Sequence, residues 1–173
     1  MKKLYLDCDG VILDTINKSY EMIKEMSLTT EDEIRGFYRN ISWEQLIVES
    51  GEIDNAISKI KELSYYFDIS ILTHVNSDNE EKVKLEYFDK RLPGIMVIPV
   101  PRIIEKADYI EPNGAILVDD FLPNLEYWEK KGGIPVKFSD SDKECPYTKI
   151  TDLLQLKNID FRSKERIKWN LLM

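Results

Sequence analysis

Five short apolar runs alternate along the chain with segments that have helical periodicity. These runs are KLYLD, DISILT, IMVIPV, AILVDD and IPVKF. None of them shows strict alternation of apolar and polar positions, which is typical of strands covered on both faces. Strands that alternate with helices predict an α/β fold with a mainly parallel, doubly wound sheet.

Three of the intervening segments carry helix signals. Residues 53–66 have apolar side chains at intervals of three and four, which predicts the crossover helix after the first strand. Ser77 is predicted to cap the next helix, with Glu80 three positions later as in a capping box. The segment LPNLEYWEKKGG predicts a further helix that stops at its glycine pair.

The segment between the first strand and the crossover helix is longer than a connection requires. Residues 16–50 contain two or three short helical patterns, including NKSYEMIKEM and SWEQLIVES. We interpret them as a small helical cap over the end of the first strand; the alternative is an extra helix layer without a functional role. The predicted organisation is therefore a core of residues 1–15 and 51–173, with a cap insertion of residues 16–50.

Charge and composition restrict the function classes. The chain has 173 residues, of which 43% are hydrophobic, and its net charge is −8. An acidic chain argues against binding to nucleic acid polymers, because that binding requires a basic face. Small anionic substrates remain compatible, since a metal ion can reverse the local charge.

Cysteine content and hydropathy indicate where the protein acts. Its two cysteines, Cys8 and Cys145, do not suggest a disulfide framework, so a reducing cytoplasm is the expected location. The apolar runs are much shorter than the roughly 20 residues of a membrane span, so no membrane association is expected. The sequence gives no indication of the oligomeric state.

Acidic and hydroxyl side chains lie at the ends of three predicted strands. Asp7 and Asp9 follow the first strand, Thr73 ends the second, and Asp119 and Asp120 end the fourth. The carboxyl ends of parallel strands face one crevice, where several carboxylates repel each other unless a cation lies among them. Oxygen ligands of this kind suit Mg²⁺. The alternative is ordinary solvation of separate strand ends.

These motifs resemble those of the haloacid dehalogenase (HAD) superfamily. DCDGVILDT resembles its first motif, a hydrophobic strand followed by Asp-x-Asp-Gly, while ISILT and AILVDDFLPN resemble its second and fourth motifs. The match covers nearly the whole chain outside residues 16–50 and the C-terminal tail. VDDFLPNLEYW with the later glycine pair, together with the small insertion, also resembles the C-type 5′-nucleotidases, the deoxyribonucleotidase branch.

The resemblance implies a covalent phosphatase mechanism. Asp7 would attack a phosphomonoester to form an aspartyl-phosphate, and Asp9 would protonate the leaving oxygen and later activate water. Mg²⁺ would be bound by Asp7, the backbone carbonyl of Asp9, and Asp119, with Asp120 assisting through water. The acid at position 9 favours phosphate chemistry over dehalogenation, because a halide leaves without a proton.

The resemblance also implies a phosphate-binding set. Gly10 would let backbone N–H groups approach the phosphate, while Thr73 and a lysine would hold the transferring oxygens. We assign this lysine to Lys106, which lies just before the fourth strand, where the family has its lysine. The other candidates are Lys82, Lys84, Lys90 and Arg102. Residues 82–90 are predicted to form a solvated helix face, which disfavours the lysines within them.

Further side chains near these motifs have two interpretations each. The aromatic residues of the insertion either stack on a nucleobase or form its own small core; they are Phe37, Tyr38 and Trp43. Asn124 either fixes the loop after the paired acids or caps the following helix. The sole histidine, His74, is expected to line the pocket without an acid–base role.

Two further expectations concern the start of the insertion and the C-terminal tail. Asp14 and Thr15 are predicted to cap the helix that begins the insertion. The tail FRSKERIKWNLLM is basic and amphipathic, and we expect it to dock on the body of the protein.

Together these features predict a Mg²⁺-dependent phosphomonoester hydrolase with a small phosphorylated substrate, a nucleotide being the preferred class. A phosphatase for sugar phosphates or other small metabolites is the alternative. A phospho-receiver domain is disfavoured, because its acceptor acid ends the third strand and VIPVP carries no acid. The intact set of Asp7, Asp9, Thr73 and Asp119 argues against a non-catalytic binding protein.

Overall fold

The computed structural model describes residues 1–162. Of the tail FRSKERIKWNLLM it includes only Phe161 and Arg162. Phe161 is buried, and its ring centroid lies 6.2 Å from that of Phe67. The predicted docking of residues 163–173 lies outside the described residues.

A six-stranded, all-parallel sheet forms the centre of the fold. Its strands are β1 (Lys2–Leu6), β2 (Phe67–Val75), β3 (Met96–Pro101), β4 (Ile116–Asp119), β5 (Ile134–Phe138) and β6 (Thr148–Ile150). They lie in the order β3-β2-β1-β4-β5-β6, so the strand order reverses at β1. This arrangement confirms the predicted doubly wound α/β fold. The three-residue strand β6 was not predicted, because it is too short to show a periodic pattern.

Helices cover both faces of this sheet. The α-helices are α1 (Thr15–Glu25), α2 (Glu31–Asn40), α3 (Trp43–Ser50), α4 (Ala56–Leu63), α5 (Asp78–Arg91), α6 (Lys106–Tyr109) and α7 (Leu122–Lys130), and a 3-10 helix spans Leu153–Asn158. The crossover helix α4 begins later than predicted from residues 53–66. Asp54 and Asn55 adopt positive φ angles of 47° and 55°, which places them outside the helical region. None of the described helices has the length and apolarity needed to cross a membrane.

The termini of α5 and α7 use the residues that the sequence singled out. Ser77 accepts a hydrogen bond from the Glu80 backbone N–H at 3.1 Å, as predicted. The capping box is not completed, however, because the Glu80 carboxylate accepts from the Asn76 N–H at 2.7 Å instead. Helix α7 ends before its glycine pair, where Gly132 has a φ of 92°.

The two faces of the sheet bury separate apolar layers. In β1, Leu4 and Leu6 belong to one layer and Tyr5 belongs to the other. In the second layer the ring of Trp128 on α7 lies 5.5 Å from that of Tyr5 in an edge-to-face arrangement. Its indole N–H donates to the Ala115 carbonyl at 3.0 Å. Burial on both faces explains why the strand runs lack alternation.

Three helices, α1 to α3, lie between β1 and α4. Helix α1 packs against α3, and α3 packs in turn against α5. A complete capping box between Thr30 and Glu33 fixes the start of α2. Two of the three helices, α2 and α3, therefore begin at side-chain caps, and the segment packs against α5 beside the sheet.

Candidate active site

The first and fourth strands bring their acidic residues together. Asp7 directly follows β1, and its backbone N–H donates to the Val118 carbonyl of the neighbouring strand β4 at 2.9 Å. Carboxylate oxygens of Asp7, Asp119 and Asp120 lie within 4.8 Å of one another. The topology therefore produces the acidic cluster at the point where strand order reverses.

The chain turns sharply after Asp7. The Cys8 carbonyl accepts hydrogen bonds from the backbone N–H groups of Ile12 and Leu13 at 2.8 and 3.0 Å. Gly10 has a φ of 78°, and a Cβ atom at this position would overlap the Asp120 carboxylate. Glycine is therefore needed here for two reasons, the left-handed backbone and the close approach to Asp120.

Lys106 forms the centre of one group of site residues. Its ammonium lies 2.8 Å from Asp7 Oδ1 and 2.7 Å from Asp119 Oδ2. Asn124 Nδ2 also donates to Asp119 Oδ2, at 2.9 Å, so this side chain fixes the acid and does not cap α7. Burial alone would lower the pKa of Lys106. The carboxylates of Asp119 and Asp7 raise it by more than burial lowers it, so the net shift is upward. Lys106 is therefore a permanent positive charge against Asp7.

The acids of this cluster carry more negative charge than Lys106 balances. Burial raises the pKa of Asp7 well above its usual range; Lys106 opposes the shift, and the neighbouring aspartates add to it. Burial and repulsion from Asp119 raise the pKa of Asp120 to about 7, although Lys137 lowers it in part. A divalent cation among these oxygens would relieve the repulsion, and three clustered carboxylates are ligands that suit Mg²⁺. The predicted ligands Asp7, Asp119 and Asp120 therefore fit a magnesium ion chemically.

Lys84 forms the centre of a second group, around Asp9. Its ammonium lies 2.5 Å from Asp9 Oδ2 and donates to Thr73 Oγ1 at 3.1 Å. It also pairs with Glu80 at 2.6 Å, while Thr15 donates to Asp9 Oδ1 at 2.6 Å. Burial raises the pKa of Asp9, but Lys84 and Thr15 outweigh it, so the net shift is downward. This group holds Asp9 as a carboxylate.

The position of Lys84 corrects the prediction of a solvated helix face. Its side chain is fully buried, although Lys82 and Lys90 on the same helix are exposed. Helix α5 buries the side chains at Glu80, Val83, Lys84 and Phe88. Counted from Glu80, the buried positions follow at three, four and eight residues, which is the spacing of one helix face. This spacing was the available sequence signal, and Glu80 and Lys84 within it are opposite charges one turn apart.

Thr15 is a second residue whose role the sequence missed. It is buried at the start of α1, where its hydroxyl bonds Asp9 and does not cap the helix. Asp14 occupies the N-cap position but makes no side-chain hydrogen bond to the helix backbone. Its carboxylate accepts instead from Asn17 at 2.8 Å.

A cavity of about 390 Å³ lies between the acids and the insertion. Asp7 and Asp9 line it, as do Tyr38 and Trp43 from α2 and α3. Phe37 is not among the lining residues; it is buried against Tyr38, with ring centroids 5.2 Å apart. Two of the three aromatic residues singled out in the insertion therefore contact the cavity.

Other aromatic side chains and contacts define the cavity wall. The Lys84 ammonium lies over one face of the Trp43 ring, 4.9 Å from its centroid. Tyr38 shares a 3.0 Å hydrogen bond with Ser19. Tyr20 and Phe121 also line the cavity and are exposed, although the sequence did not single them out.

His74 also lines the cavity and is held in one tautomer. The Arg102 guanidinium donates to its Nδ1 at 3.2 Å, so its Nε2–H donates to the Ile104 carbonyl at 2.9 Å. Burial, followed by the charge of Lys106, lowers the pKa of His74 to about 4. The imidazole is therefore neutral near pH 7.

Among the comparisons with known proteins, the one with solved structures finds similar folds. No family model matches the chain, and no curated protein matches it. Among solved structures, it is similar to a HAD-superfamily hydrolase of subfamily IA from Geobacter sulfurreducens, with 17% identity, a TM-score of 0.61, and coverage of 91% of this chain and 98% of that one. It is also similar to the HAD-hydrolase YfnB from Bacillus subtilis, described as bound to magnesium, with 14% identity, a TM-score of 0.65, and coverage of 91% and 97%.

A third similar structure is a haloacid dehalogenase-like hydrolase from Streptococcus pneumoniae. Its identity to this chain is 14%, its TM-score is 0.60, and the match covers 91% of this chain and 97% of that one. At this level of identity the likeness concerns the backbone arrangement. The chain therefore has the α/β fold of HAD-superfamily hydrolases.

Proposed function

We propose that the protein is a Mg²⁺-dependent phosphomonoester hydrolase that acts through an aspartyl-phosphate on Asp7. The observation that carries this proposal is the position of Asp7, which lines the cavity, contacts Lys106 and belongs to the acidic cluster. The fold is shared with HAD hydrolases, one of which is described as bound to magnesium. The motif order resembles that of the phosphatases in this superfamily.

The first half of the proposed reaction transfers the phosphoryl group to Asp7. A carboxylate oxygen of Asp7 forms a bond to phosphorus as the bond to the leaving oxygen breaks, and Asp9 gives that oxygen a proton. Bound by Asp7, Asp119 and Asp120, Mg²⁺ would neutralise charge on the transferring oxygens. Lys106 supplies a fixed positive charge beside the nucleophile.

The second half returns Asp7 to its starting state. A water molecule attacks phosphorus and gives its proton to Asp9, and the bond between phosphorus and Asp7 breaks to release inorganic phosphate. The lowered pKa of Asp9 agrees with its starting this half-reaction as a carboxylate. For the acid step, the negative charge of a phosphoryl group bound in the cavity beside Asp9 would raise the pKa of Asp9 toward the protonated form.

We further propose that residues 16–50 act as the cap and that the substrate is a nucleotide. Discrimination among phosphomonoesters requires contacts outside the phosphate, and α1 to α3 supply much of the cavity wall. Tyr38 offers an aromatic surface there, joined by Tyr20 and Phe121. The resemblance of VDDFLPNLEYW to the deoxyribonucleotidase branch favours the same substrate class.

Assay of the purified protein against three substrate groups tests the activity. Nucleoside monophosphates, sugar phosphates and an aryl phosphate would each be supplied with Mg²⁺, with Ca²⁺ or with a chelator. We expect turnover with Mg²⁺, poor turnover with Ca²⁺, and none with the chelator or with the Asp7→Asn variant. Full activity in chelator would refute the metal assignment, and preference for sugar phosphates would replace the nucleotide proposal.

The aromatic wall can be tested separately. Tyr38→Leu should lower kcat/KM for nucleotides by about 10- to 100-fold relative to the aryl phosphate, because a stacked base contributes roughly 1–3 kcal/mol. Phe37→Leu is the matched control, since Phe37 does not line the cavity. An equal nucleotide-to-aryl ratio in both variants would contradict base stacking on Tyr38.

A further inference from the structure

Arg102 occupies the border between two cavities. It is the first residue after β3, and its backbone N–H donates to the Val75 carbonyl at 3.0 Å. Its side chain lines the cavity that contains Asp7 and Asp9, and it also lines an adjoining open cavity of about 640 Å³. A group bound by this guanidinium would therefore lie beside the substrate and not at the acidic cluster itself.

Neutral groups hold Arg102 in place. The guanidinium donates to His74 Nδ1 at 3.2 Å, and its central carbon lies 5.9 Å from the Phe121 ring centroid. His74 also bonds the carbonyl of Ile104, two residues after Arg102, and so fixes both the loop and the side chain. A neutral imidazole and a phenyl ring position the guanidinium, which is exposed to solvent and so remains open to an anionic ligand.

Among the described residues, Arg102 is the cation that lines the candidate active-site cavity, and the absence of an acidic partner distinguishes it from the two buried lysines behind the cavity wall. Within residues 1–162, no carboxylate forms an ion pair with it at 4.0 Å or less, although the chain has 32 acidic residues. Lys84 and Lys106 each pair with two carboxylates. In the adjoining cavity, Arg35 lies near two acids of its own helix, and Arg39 does not line the candidate active-site cavity. A guanidinium has five N–H donors in a fork that matches a carboxylate or phosphate.

We infer that Arg102 binds a second anionic group of the substrate, a carboxylate or a phosphate carried by the leaving group. This inference rests on the proposed function, which places the reacting phosphoryl group at Asp7 in the same cavity. The aromatic side chains of Tyr20, Tyr38 and Phe121 line the cavity that the body of the leaving group would fill. This narrows the proposed substrate to a phosphomonoester whose aromatic or apolar body carries a second anion, such as a nucleotide with a second phosphate.

A pair of matched substrates tests the role of Arg102. Para-carboxyphenyl phosphate and para-carbamoylphenyl phosphate have nearly the same shape and differ in the charge of the distal group. We expect the protein to prefer the carboxylate by about 10- to 100-fold in kcat/KM, as for a hydrogen bond to a charged group. Arg102→Gln should bring this ratio close to one, and Arg102→Lys should retain part of it.

Arg91→Gln provides a control with the same change in net charge. Arg91 stacks on Tyr87, with 3.8 Å between the guanidinium carbon and the ring centroid, and does not line the cavity. The ratio should therefore be unchanged in this variant. An equal fall in both variants would show a general effect of charge and overturn the assignment to Arg102.

A second pair identifies the source of the anion. A preference for a nucleoside 3′,5′-bisphosphate over the 5′-monophosphate, lost in Arg102→Gln, would assign the site to a phosphate. A preference confined to the carboxyphenyl pair would assign it to a carboxylate. No preference in either pair, or ratios that Arg102→Gln leaves intact, would overturn the inference.

Equilibrium binding separates this inference from the proposed function. The four compounds can be titrated calorimetrically into Asp7→Asn, with and without Arg102→Gln, so that no turnover is needed. Loss of a preference for the anionic compounds in the double variant supports the site even if none is hydrolysed, in which case the proposed function alone fails. Equal binding of both members of each pair to Asp7→Asn contradicts the site.

Discussion

Two buried lysines, Lys84 and Lys106, each form the centre of one part of the site, and the two parts differ in how their acidic side chains are balanced. Each ammonium makes two ion pairs shorter than 3 Å. The pairs are Lys106 with Asp7 and Asp119, and Lys84 with Asp9 and Glu80. In both parts the carboxylates outweigh burial and raise the pKa of the lysine.

The acids around Lys84 are satisfied by the protein itself. Thr15 donates to Asp9, and the Asn76 backbone and side chain both donate to Glu80. The part around Lys106 has a third acid, Asp120, whose pKa is raised to about 7. The comparison teaches that one part is a finished hydrogen-bonded network with two acids around one ammonium, whereas the other has three acids around one ammonium, a larger excess of negative charge that suits a cation.

The largest stability effect is expected from breaking the finished network. Lys84→Met leaves Asp9 and Glu80 buried without a cation, which should lower the free energy of unfolding by about 3–5 kcal/mol. Because neither the Asp9 nor the Glu80 carboxylate is a proposed Mg²⁺ ligand, Mg²⁺ should not restore the loss. Urea unfolding with and without Mg²⁺ measures both effects.

Lys82→Met is the control for this variant, because Lys82 lies on the same helix but is exposed. It should change the free energy of unfolding by no more than about 0.5 kcal/mol. Equal effects of the two substitutions would show that the network around Lys84 does not stabilise the protein.

A smaller, metal-dependent effect is expected from Lys106→Met. In chelator, loss of the cation beside Asp7 and Asp119 should lower the free energy of unfolding by about 3 kcal/mol. Added Mg²⁺ should recover part of this loss, because the ion no longer competes with an ammonium for the same oxygens. Urea unfolding over a Mg²⁺ series would show a larger gain for this variant than for Lys84→Met. Equal, negligible gains would contradict a cation site at the cluster.

The smallest effect concerns the pH dependence of stability, which we attribute to His74, the residue that follows Thr73. Burial lowers the pKa of His74 to about 4 from an ordinary 6.5, so the unfolded chain takes up this proton first as the pH falls. Stability should therefore fall between pH 6.5 and 4, with about 2 kcal/mol lost at pH 5 relative to pH 7.5.

Replacement by a group that does not titrate isolates the contribution of His74. The His74→Asn variant should lose about 2 kcal/mol less than the native protein over that pH interval, as measured by urea unfolding at each pH. An identical pH dependence in the two proteins would show that the imidazole does not resist protonation in the fold.

The same comparison shows how far the sequence predicts the site. Lys106 was chosen because it lies just before β4, where the resemblance to the HAD superfamily implies a lysine. Strand ends are fixed by topology, so continuous apolar runs were enough to place Asp7 beside Asp119. The structure shows both lysines at these acids, although the sequence reasoning favoured only one.

Lys84 was missed because a polar helix with many charges resembles a solvated one. Only the stripe of Glu80, Val83, Lys84 and Phe88 marks the buried face, and half of its members are charged. Helix α6 has four residues and β6 has three, so neither is long enough to show a period. Phe37 and Tyr38 are adjacent on α2, and the sequence alone does not decide which faces the cavity.

Trapping of the covalent intermediate tests the central claim most directly. The protein would be mixed with Mg²⁺ and a hydrolysed phosphomonoester, quenched rapidly in acid, digested, and analysed by mass spectrometry for the peptide that contains Asp7. We predict the added mass of one phosphoryl group on Asp7, removed by hydroxylamine and absent in Asp7→Asn. Rapid hydrolysis with no phosphoryl group on Asp7, together with near-native turnover by Asp7→Asn, would contradict the proposed mechanism.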